Sequence, residues 1–169
     1  LAEMFASALH GIHASGAKTG SALVLGGGPI GLATVRLLKV LGLGPIALSE
    51  PVKEKRDLGV ALGAESVIDP FGEELQARVQ TLTNGIGFEA VFECSGVLRN
   101  IQAGMEAASI GGTVCEVGIN FGEATIQPKL LNFKELRVTG AYGNTHEENI
   151  QCLQWMAEGD LDGRAMISD

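Results

Sequence analysis

Ala-Leu-Val-Leu-Gly-Gly-Gly-Pro-Ile-Gly, the stretch from Ala22 to Gly31, decides the fold of this 169-residue chain. Its first four residues are apolar without alternation, which is typical of a β-strand buried on both faces. The next six hold four Gly, and a mostly apolar segment rich in good helix formers follows from Leu32 to Leu41. Gly42 suits the end of that helix. We therefore predict a buried strand that turns through a glycine loop into a helix.

The same order of elements repeats about five times along the chain. Short apolar runs alternate with helical segments, which predicts an α/β fold with parallel strands and right-handed crossovers. We expect a Rossmann-type doubly wound parallel sheet of about six strands with helices on both faces. It forms one domain over residues 1–169, with an opening helix and loop in residues 1–20. Further strands are predicted at Ile46–Leu48, Ser66–Ile68, Phe88–Cys94, Thr113–Val117 and Leu136–Thr139, helices at Met4–Ile12, Val52–Leu62, Glu73–Leu82, Leu98–Ala108 and Glu147–Glu158, and a turn at Gly111–Gly112.

The glycine loop has the spacing Gly-x-Gly-x-x-Gly at Gly26, Gly28 and Gly31. Between a strand and a helix, this spacing indicates a site for the pyrophosphate of a dinucleotide. Gly26 allows the tight turn, Gly28 lets the pyrophosphate approach the backbone, and Gly31 allows close packing of helix on strand. The first-turn N–H groups of the helix favour an anion there. The alternative is a glycine-rich helix entry without a ligand.

An acidic residue at the end of the second strand favours the dinucleotide interpretation. Glu50 lies about 20 residues beyond the loop, where a carboxylate accepts the hydroxyls of an adenosine ribose. The same charge would repel the extra phosphate of NADP, so we expect NAD to be favoured over NADP. Glu50 also suits the start of the helix after Pro51, and both roles are compatible. Lys55 and Arg56 either reach the ribose or are solvated helix charges.

Composition excludes several other classes of protein. With 12 Lys and Arg against 20 Asp and Glu, the net charge is −8, which argues against binding nucleic acid or an anionic membrane. No apolar run approaches the ~18 residues of a membrane span. The three Cys include no Cys-x-x-Cys pair, so we expect free thiols in a reducing compartment, the cytoplasm. The 24 Gly are about twice the usual share of about 7%.

Taken together, the sequence motifs resemble the cofactor-binding domain of the medium-chain, zinc-dependent alcohol dehydrogenase family. The resemblance runs through nearly the whole chain, and its threonine, butanediol and polyol dehydrogenase branch is the most similar. The opening helix favours polyol and butanediol members, whereas Asp69–Phe71 and Phe92–Gly96 favour threonine dehydrogenases, so the substrate assignment is split. The matching segments are Ala2–Ile12, Gly26–Gly31 with its Gly-Pro-Ile-Gly ending, Ser49–Pro51, Leu62–Ala64, Gly85–Gly96 with Glu89 in place of the usual Asp, and Gly111–Gly118.

The resemblance implies further contacts with the cofactor. Cys94 and Ser95 would lie beside the adenosine ribose. The residues after the fifth strand and those after the sixth would line the nicotinamide, largely through backbone groups. The implied set is Pro29, Ile30, Cys94, Ser95, Val117, Gly118, Ile119, Ala141 and Tyr142.

The resemblance also implies a catalytic zinc, yet the sequence offers no obvious set of ligands for one. His10 and His13 are an i, i+3 pair that we interpret as packing or surface residues rather than zinc ligands. In polyol-type members a Glu at the place of Glu3 stands beside the zinc, as a ligand or a neighbour. We therefore expect the catalytic zinc domain and every catalytic residue to lie outside this chain, which should bind NAD without turnover or bound zinc.

Two alternatives stay open from the sequence. One is a zinc-free NAD(P)H-dependent reductase of the same superfamily, which Glu3 and Glu50 disfavour. The other is a nucleotide-binding module without chemistry. Members of the family commonly pair through the last strand, so Leu136–Ala141 is a candidate interface for a homo-oligomer. In a longer protein the substrate would be a secondary alcohol, a polyol or an amino alcohol.

Overall fold

The computed structural model describes residues 1–72 and 74–167. Six strands and seven α-helices occur in this part of the chain, and no described helix could cross a membrane. The strands are β1 (Ala22–Leu25), β2 (Ile46–Ser49), β3 (Ser66–Ile68), β4 (Phe88–Glu93), β5 (Ala108–Glu116) and β6 (Arg137–Gly140). The helices are α1 (Ala2–Ser15), α2 (Pro29–Val40), α3 (Lys53–Leu62), α4 (Leu75–Thr83), α5 (Arg99–Ala107), α6 (Lys129–Phe133) and α7 (His146–Glu158), with a short 3₁₀ turn at Arg164–Met166.

The six strands form one parallel sheet in the order β3-β2-β1-β4-β5-β6. This is the doubly wound Rossmann order, and it confirms the predicted fold class. β1 is central, and all four of its residues are buried, as the unbroken apolar run predicts. The order of strands reverses between β1 and β4, so their carboxyl ends open the crevice where ligands bind in such sheets.

Helices cover both faces of the sheet, and alternate residues of β1 point into two separate cores. Val24 belongs to the core beneath α1, α2, α3 and α7, whereas Leu23 and Leu25 belong to the core beneath α4 and α5. α1 is a full member of the first core, because Phe5, Leu9 and Ile12 are almost completely buried. A Cβ at Gly11 of α1 would lie only 2.8 Å from a methyl group of Val117. The opening helix therefore packs directly against the end of β5.

The region around β5 differs from the sequence-based expectation. The predicted turn at Gly111–Gly112 lies inside β5, which begins at Ala108, just after α5 ends. Gly111 has a φ of 75°, and the register with β4 shifts between Phe88 and Ala90, so the glycines form a bulge that the ladder continues past. The turn prediction was wrong because pairing with β4 holds both sides of the bulge in one strand.

A short helix, α6, was absent from the prediction. Lys134 follows it and donates from Nζ to the carbonyl oxygens of Met105, Glu106 and Ala108, at 3.2, 2.6 and 2.7 Å. These carbonyls form the C-terminal end of α5, which a cation stabilises. α4 covers most of the predicted helix Glu73–Leu82, and Glu73 itself lies outside the described residues, as do residues 168 and 169.

Candidate dinucleotide site

The glycine loop leaves β1 and enters α2 through three glycines with different surroundings. Gly26 has a φ of 100°, which side chains rarely adopt. A Cβ on Gly31 would lie 1.9 Å from the carbonyl oxygen of Gly26, so α2 can approach the loop only with Gly there. A Cβ on Gly28 would meet nothing within 4 Å. The space above Gly28 is therefore open, and no described side chain caps the first turn of α2.

The Glu50 side chain follows β2 and is bound to the glycine loop. Its Oε2 accepts the N–H of Gly27 at 2.6 Å, and its Oε1 accepts the N–H of Val52 at 2.9 Å. The residue is 5% exposed, so most of its carboxylate is held inside the protein. Each oxygen keeps a further lone pair for a ligand hydroxyl. Glu50 thus joins the glycine loop to the start of α3, which is one of its two expected roles, and its acceptance of ribose hydroxyls stays a prediction.

Lys55 and Arg56, adjacent on α3, have different surroundings. The Arg56 guanidinium donates to the carbonyl oxygens of Glu50 and Pro51 at 2.8 and 2.7 Å and pairs with Asp69 at 3.1 Å. The N–H of Phe71, and more weakly Arg56, lower the pKa of the Asp69 carboxyl. Arg56 therefore supports the turn that carries Glu50, whereas Lys55 lines the open cavity beside it.

That cavity, which we call the Glu50 cavity, has a volume of about 650 Å³. It lies over the carboxyl ends of β1, β2 and β4. Six residues from the sequence-based set line it together with Ser49 and Pro51, namely Gly26, Gly28, Glu50, Lys55, Cys94 and Ser95. Residues that the sequence analysis did not select complete the wall, namely Pro70, Phe71, Leu75, Val97, Arg99, Asn100 and Ala103.

Cys94 in this wall is not a reactive thiol. Its Sγ lies 3.9 Å from the Thr34 hydroxyl, and burial, followed by the charge of Glu93, raises the pKa of the thiol far above its ordinary value. Burial likewise raises the pKa of Cys115 to about 12 and that of Cys152 to about 11. All three cysteines are free.

The loop after β4 is organised by Glu93, a residue outside the sequence-based set. Its side chain is completely buried and accepts the N–H groups of Ser95 and Gly96 at 2.9 and 3.1 Å, together with the Ser95 hydroxyl. The carbonyl oxygen of Glu93 also accepts the N–H groups of Val117 and Gly118, both at 2.8 Å. One residue therefore holds the ends of β4 and β5 together.

A second cavity of about 320 Å³ lies on the other side of the glycine loop, and we call it the Glu3 cavity. Residues from α1, α2 and the ends of β5 and β6 meet there. Its lining is Glu3, Ser7, Ile30, Val117, Ile119, Ala141, Tyr142 and Gly143. Of the remaining sequence-based residues, Gly118 lies in an adjoining shallow depression, and Pro29 is the first residue of α2 and lines neither cavity.

Hydrogen bonds connect the Glu3 cavity to the start of α7. Asn144 donates from Nδ2 to the Ser7 hydroxyl at 3.0 Å, and that hydroxyl donates to Glu3 Oε1 at 3.3 Å. Thr145 caps α7 through a reciprocal pair of bonds with Glu148. The segment that carries Ala141 and Tyr142 is thereby attached to α1.

The two histidines of α1 take part in the same attachment. His10 Nδ1 and His13 Nδ1 lie 3.1 and 2.8 Å from the two oxygens of Glu148, which is 6% exposed. This agrees with a packing role. Within residues 1–72 and 74–167, no three His, Cys, Asp or Glu side chains are arranged to hold a metal ion.

Sequence comparison identifies the family. The sequence model described as "Zinc-binding dehydrogenase" matches residues 29–158, which is most of the chain. The chain belongs to the zinc-binding dehydrogenase family. It is the NAD(P)-binding part of such a dehydrogenase, as the resemblance of its motifs implied.

Individual members of the zinc-binding dehydrogenase family agree with this assignment. An L-threonine 3-dehydrogenase of Pyrococcus horikoshii is 35% identical over 73% of this chain and 36% of its own length. An (R,R)-butanediol dehydrogenase of Neisseria gonorrhoeae is 36% identical over 86% of this chain and 42% of its own length. The crystal structure of a zinc-binding dehydrogenase of Sinorhizobium meliloti 1021, bound to NADP, has a TM-score of 0.91 at 31% identity, covering 99% of this chain and 50% of that one. The chain thus spans about two fifths of the curated relatives and half of the solved structure.

Proposed function

We propose that this chain binds NAD across its glycine loop. The adenosine would occupy the Glu50 cavity, the pyrophosphate would lie over Gly28 at the first turn of α2, and the nicotinamide would occupy the Glu3 cavity. The observation that carries the proposal is that two cavities flank a loop whose central glycine faces open space. The described residues fit a dinucleotide because open backbone and free first-turn N–H groups meet at that place.

NAD is favoured over NADP in this proposal because of Glu50. Its carboxylate is held by two backbone N–H groups and can accept ribose hydroxyls with its remaining lone pairs. A phosphate on the same ribose would bring a second negative charge close to it.

The whole protein, we propose, transfers hydride between NAD and a secondary alcohol, a polyol or an amino alcohol. When bound, the nicotinamide ring accepts the hydride. Backbone groups after β5 and β6, at Val117 and Ala141, would hold the carboxamide of that ring. Threonine and butanediol dehydrogenases among the relatives support the substrate class. Glu3 is the proposed zinc ligand or zinc neighbour, and the other ligands would come from residues beyond those described.

Titration of the chain with NADH and NADPH tests the proposal. We expect NADH to bind more tightly, and we expect Glu50→Ala to weaken NADH binding while shifting the affinity ratio towards NADPH. An unchanged ratio would contradict the assigned role of Glu50. The chain should not oxidise threonine, butanediol or sorbitol with added zinc, and turnover would contradict the proposed division of the catalytic machinery.

We also propose that two copies pair through β6. This strand is an edge of the sheet, and Val138 in it is 41% exposed, so its unpaired backbone groups offer a template for a second copy. Sedimentation should show a dimer, and a monomer at all concentrations would contradict the pairing.

The three free thiols suit a reducing compartment, and we propose the cytoplasm, which fractionation of the source cells would check.

A further inference from the structure

Two cations in the Glu50 cavity have no partner within the described protein. Lys55 comes from the first turn of α3 and Arg99 from the start of α5, and both side chains are exposed. Neither makes a hydrogen bond or an ion pair with a described residue. Arg56 and Arg164, by contrast, pair with Asp69 and Asp162. The cavity thus keeps two uncommitted positive charges on two different elements.

The opposing charge in the cavity is partly committed to the protein. Glu50 is the carboxylate among the described lining residues, and both of its oxygens already accept backbone N–H groups. Those bonds hold the carboxylate beside the glycine loop. Counted over Glu50, Lys55 and Arg99, the formal charge of the cavity lining is positive.

Arg99 is suited to bind a phosphate. A guanidinium presents paired N–H donors in a plane, which matches two phosphate oxygens. Asn100, next to it, donates from Nδ2 to the Ser95 hydroxyl at 2.9 Å, and Glu93 holds Ser95 in turn. The start of α5 is thereby tied to the loop that lines the cavity.

We infer that Arg99, with Lys55, favours a phosphate on the adenosine ribose and so opposes Glu50 in the choice of cofactor. This inference rests on the proposed nucleotide site. The preference for NAD depends on Glu50 alone, with the two cations acting against it. Removing the charge of Glu50 therefore changes the preference from NAD to NADP. In a cavity without cations, the same change would only abolish the preference for NAD.

Titrations of NADH and NADPH against matched variants test the inference, with nicotinamide fluorescence as the readout. Glu50→Gln should bind NADPH about threefold to tenfold more tightly than NADH, since exposed charge pairs and charge-assisted bonds contribute on this scale. Adding Arg99→Gln should bring the ratio closer to one, because only Lys55 then remains to favour the phosphate. Adding Lys53→Gln instead should leave it unchanged, because Lys53 lies on the same helix as Lys55 but pairs with Asp57 at 2.6 Å. The inverted preference should also shrink in high salt.

Two results would overturn the inference: a Glu50→Gln variant that still prefers NADH, or a ratio that Arg99→Gln does not move. Circular dichroism checks that each variant folds, and Arg99→Gln in the native background provides a second measurement, where NADPH affinity should fall more than NADH affinity. A native chain that binds neither nucleotide would refute the proposed function itself, which is a distinct outcome.

Discussion

The Glu50 cavity and the Glu3 cavity share one glycine loop but are built differently. In the Glu50 cavity, polar side chains are fixed by backbone N–H groups, as at Glu50 and in the loop that Glu93 organises. Most residues that line the Glu3 cavity have apolar side chains or none, as at Ile30, Val117 and Gly143. Recognition by side chains is therefore expected mainly in the first cavity, whereas most polar groups of the second belong to the backbone.

We expect the largest effect from a substitution in the glycine loop, which both cavities share. Gly31→Ala places a methyl group 1.9 Å from the Gly26 carbonyl oxygen, so α2 must shift away from the loop. Overpacking typically costs about 1–3 kcal/mol, and the upper end is expected here because the obstacle is backbone. Urea unfolding should show the loss of stability, and NADH binding should be lost with it.

Gly28→Ala is the matched control at the same loop. The φ of Gly28 is −71°, which alanine adopts freely, and its Cβ would meet no protein atom within 4 Å. The variant should unfold like the native chain but bind NADH more weakly, because the methyl group occupies the approach of the pyrophosphate. Equal NADH affinity in this variant and the native chain would contradict the proposed position of the pyrophosphate.

We expect a smaller effect from a substitution of Glu93, which organises the loop that lines the Glu50 cavity. Glu93→Gln replaces one acceptor oxygen by an NH₂ group that faces existing donors, which leaves buried donors unpaired at a cost of about 1–3 kcal/mol. Urea unfolding measures the cost, and loosening of the Ser95 loop should weaken NADH binding. Glu116→Gln is the control, because Glu116 is the register partner of Glu93 in β5 but is less buried. A comparable loss of stability in the two variants would show that the hydrogen bonds of Glu93 contribute no more than those of Glu116.

The third prediction concerns Glu148, which attaches α7 to His10 and His13 of α1, and its outcome depends on pH. Burial alone would raise the pKa of Glu148, but the Thr145 N–H and the imidazoles of His13 and His10 together lower it below its usual 4.5. The carboxylate therefore stabilises the fold above the unfolded pKa, and this contribution is lost as pH falls through the folded pKa. Glu148→Gln should be less stable than the native chain at pH 7, by about 1–2 kcal/mol.

Thermal unfolding between pH 7 and pH 3 checks the sign of this effect. The difference between the native chain and Glu148→Gln should shrink as the pH falls below 4.5. Glu158→Gln, at the exposed other end of α7, serves as the control and should change little. A difference that stays constant down to pH 3 would mean that the Glu148 charge contributes nothing.

Local signals in the sequence were sufficient to predict the sheet and to select residues that meet at the candidate site. A strand buried on both faces needs unbroken apolar residues, and the glycine loop needs residues without a Cβ, so both can be recognised from residue types alone. Glu50 could be found from its distance to the loop. These features depend on neighbours in the chain, which is why they could be predicted.

Features that depend on distant residues could not be predicted. Lys55 and Arg56 are adjacent on α3, and only the position of Asp69 after β3 decides which of them faces the cavity. Phe71 enters the cavity from the loop after β3 and Arg99 from the start of α5. The segment Asp69–Phe71 shows only a resemblance to threonine dehydrogenases, and nothing in the sequence marks either residue as part of the cavity. The bulge at Gly111 looked like a turn because the pairing of Phe88 with Ala108 is a contact across the sheet.

The burial of α1 has a consequence for where the fold can be divided. The family match begins at residue 29, after both α1 and the central strand β1. A fragment that began there would lack the middle of the sheet, and one that began at β1 would uncover the surface that Phe5, Leu9 and Ile12 cover. The region that the family model matches is thus smaller than the sheet with its covering helices, and shortening the chain to that region would expose apolar surface that the first helix now covers.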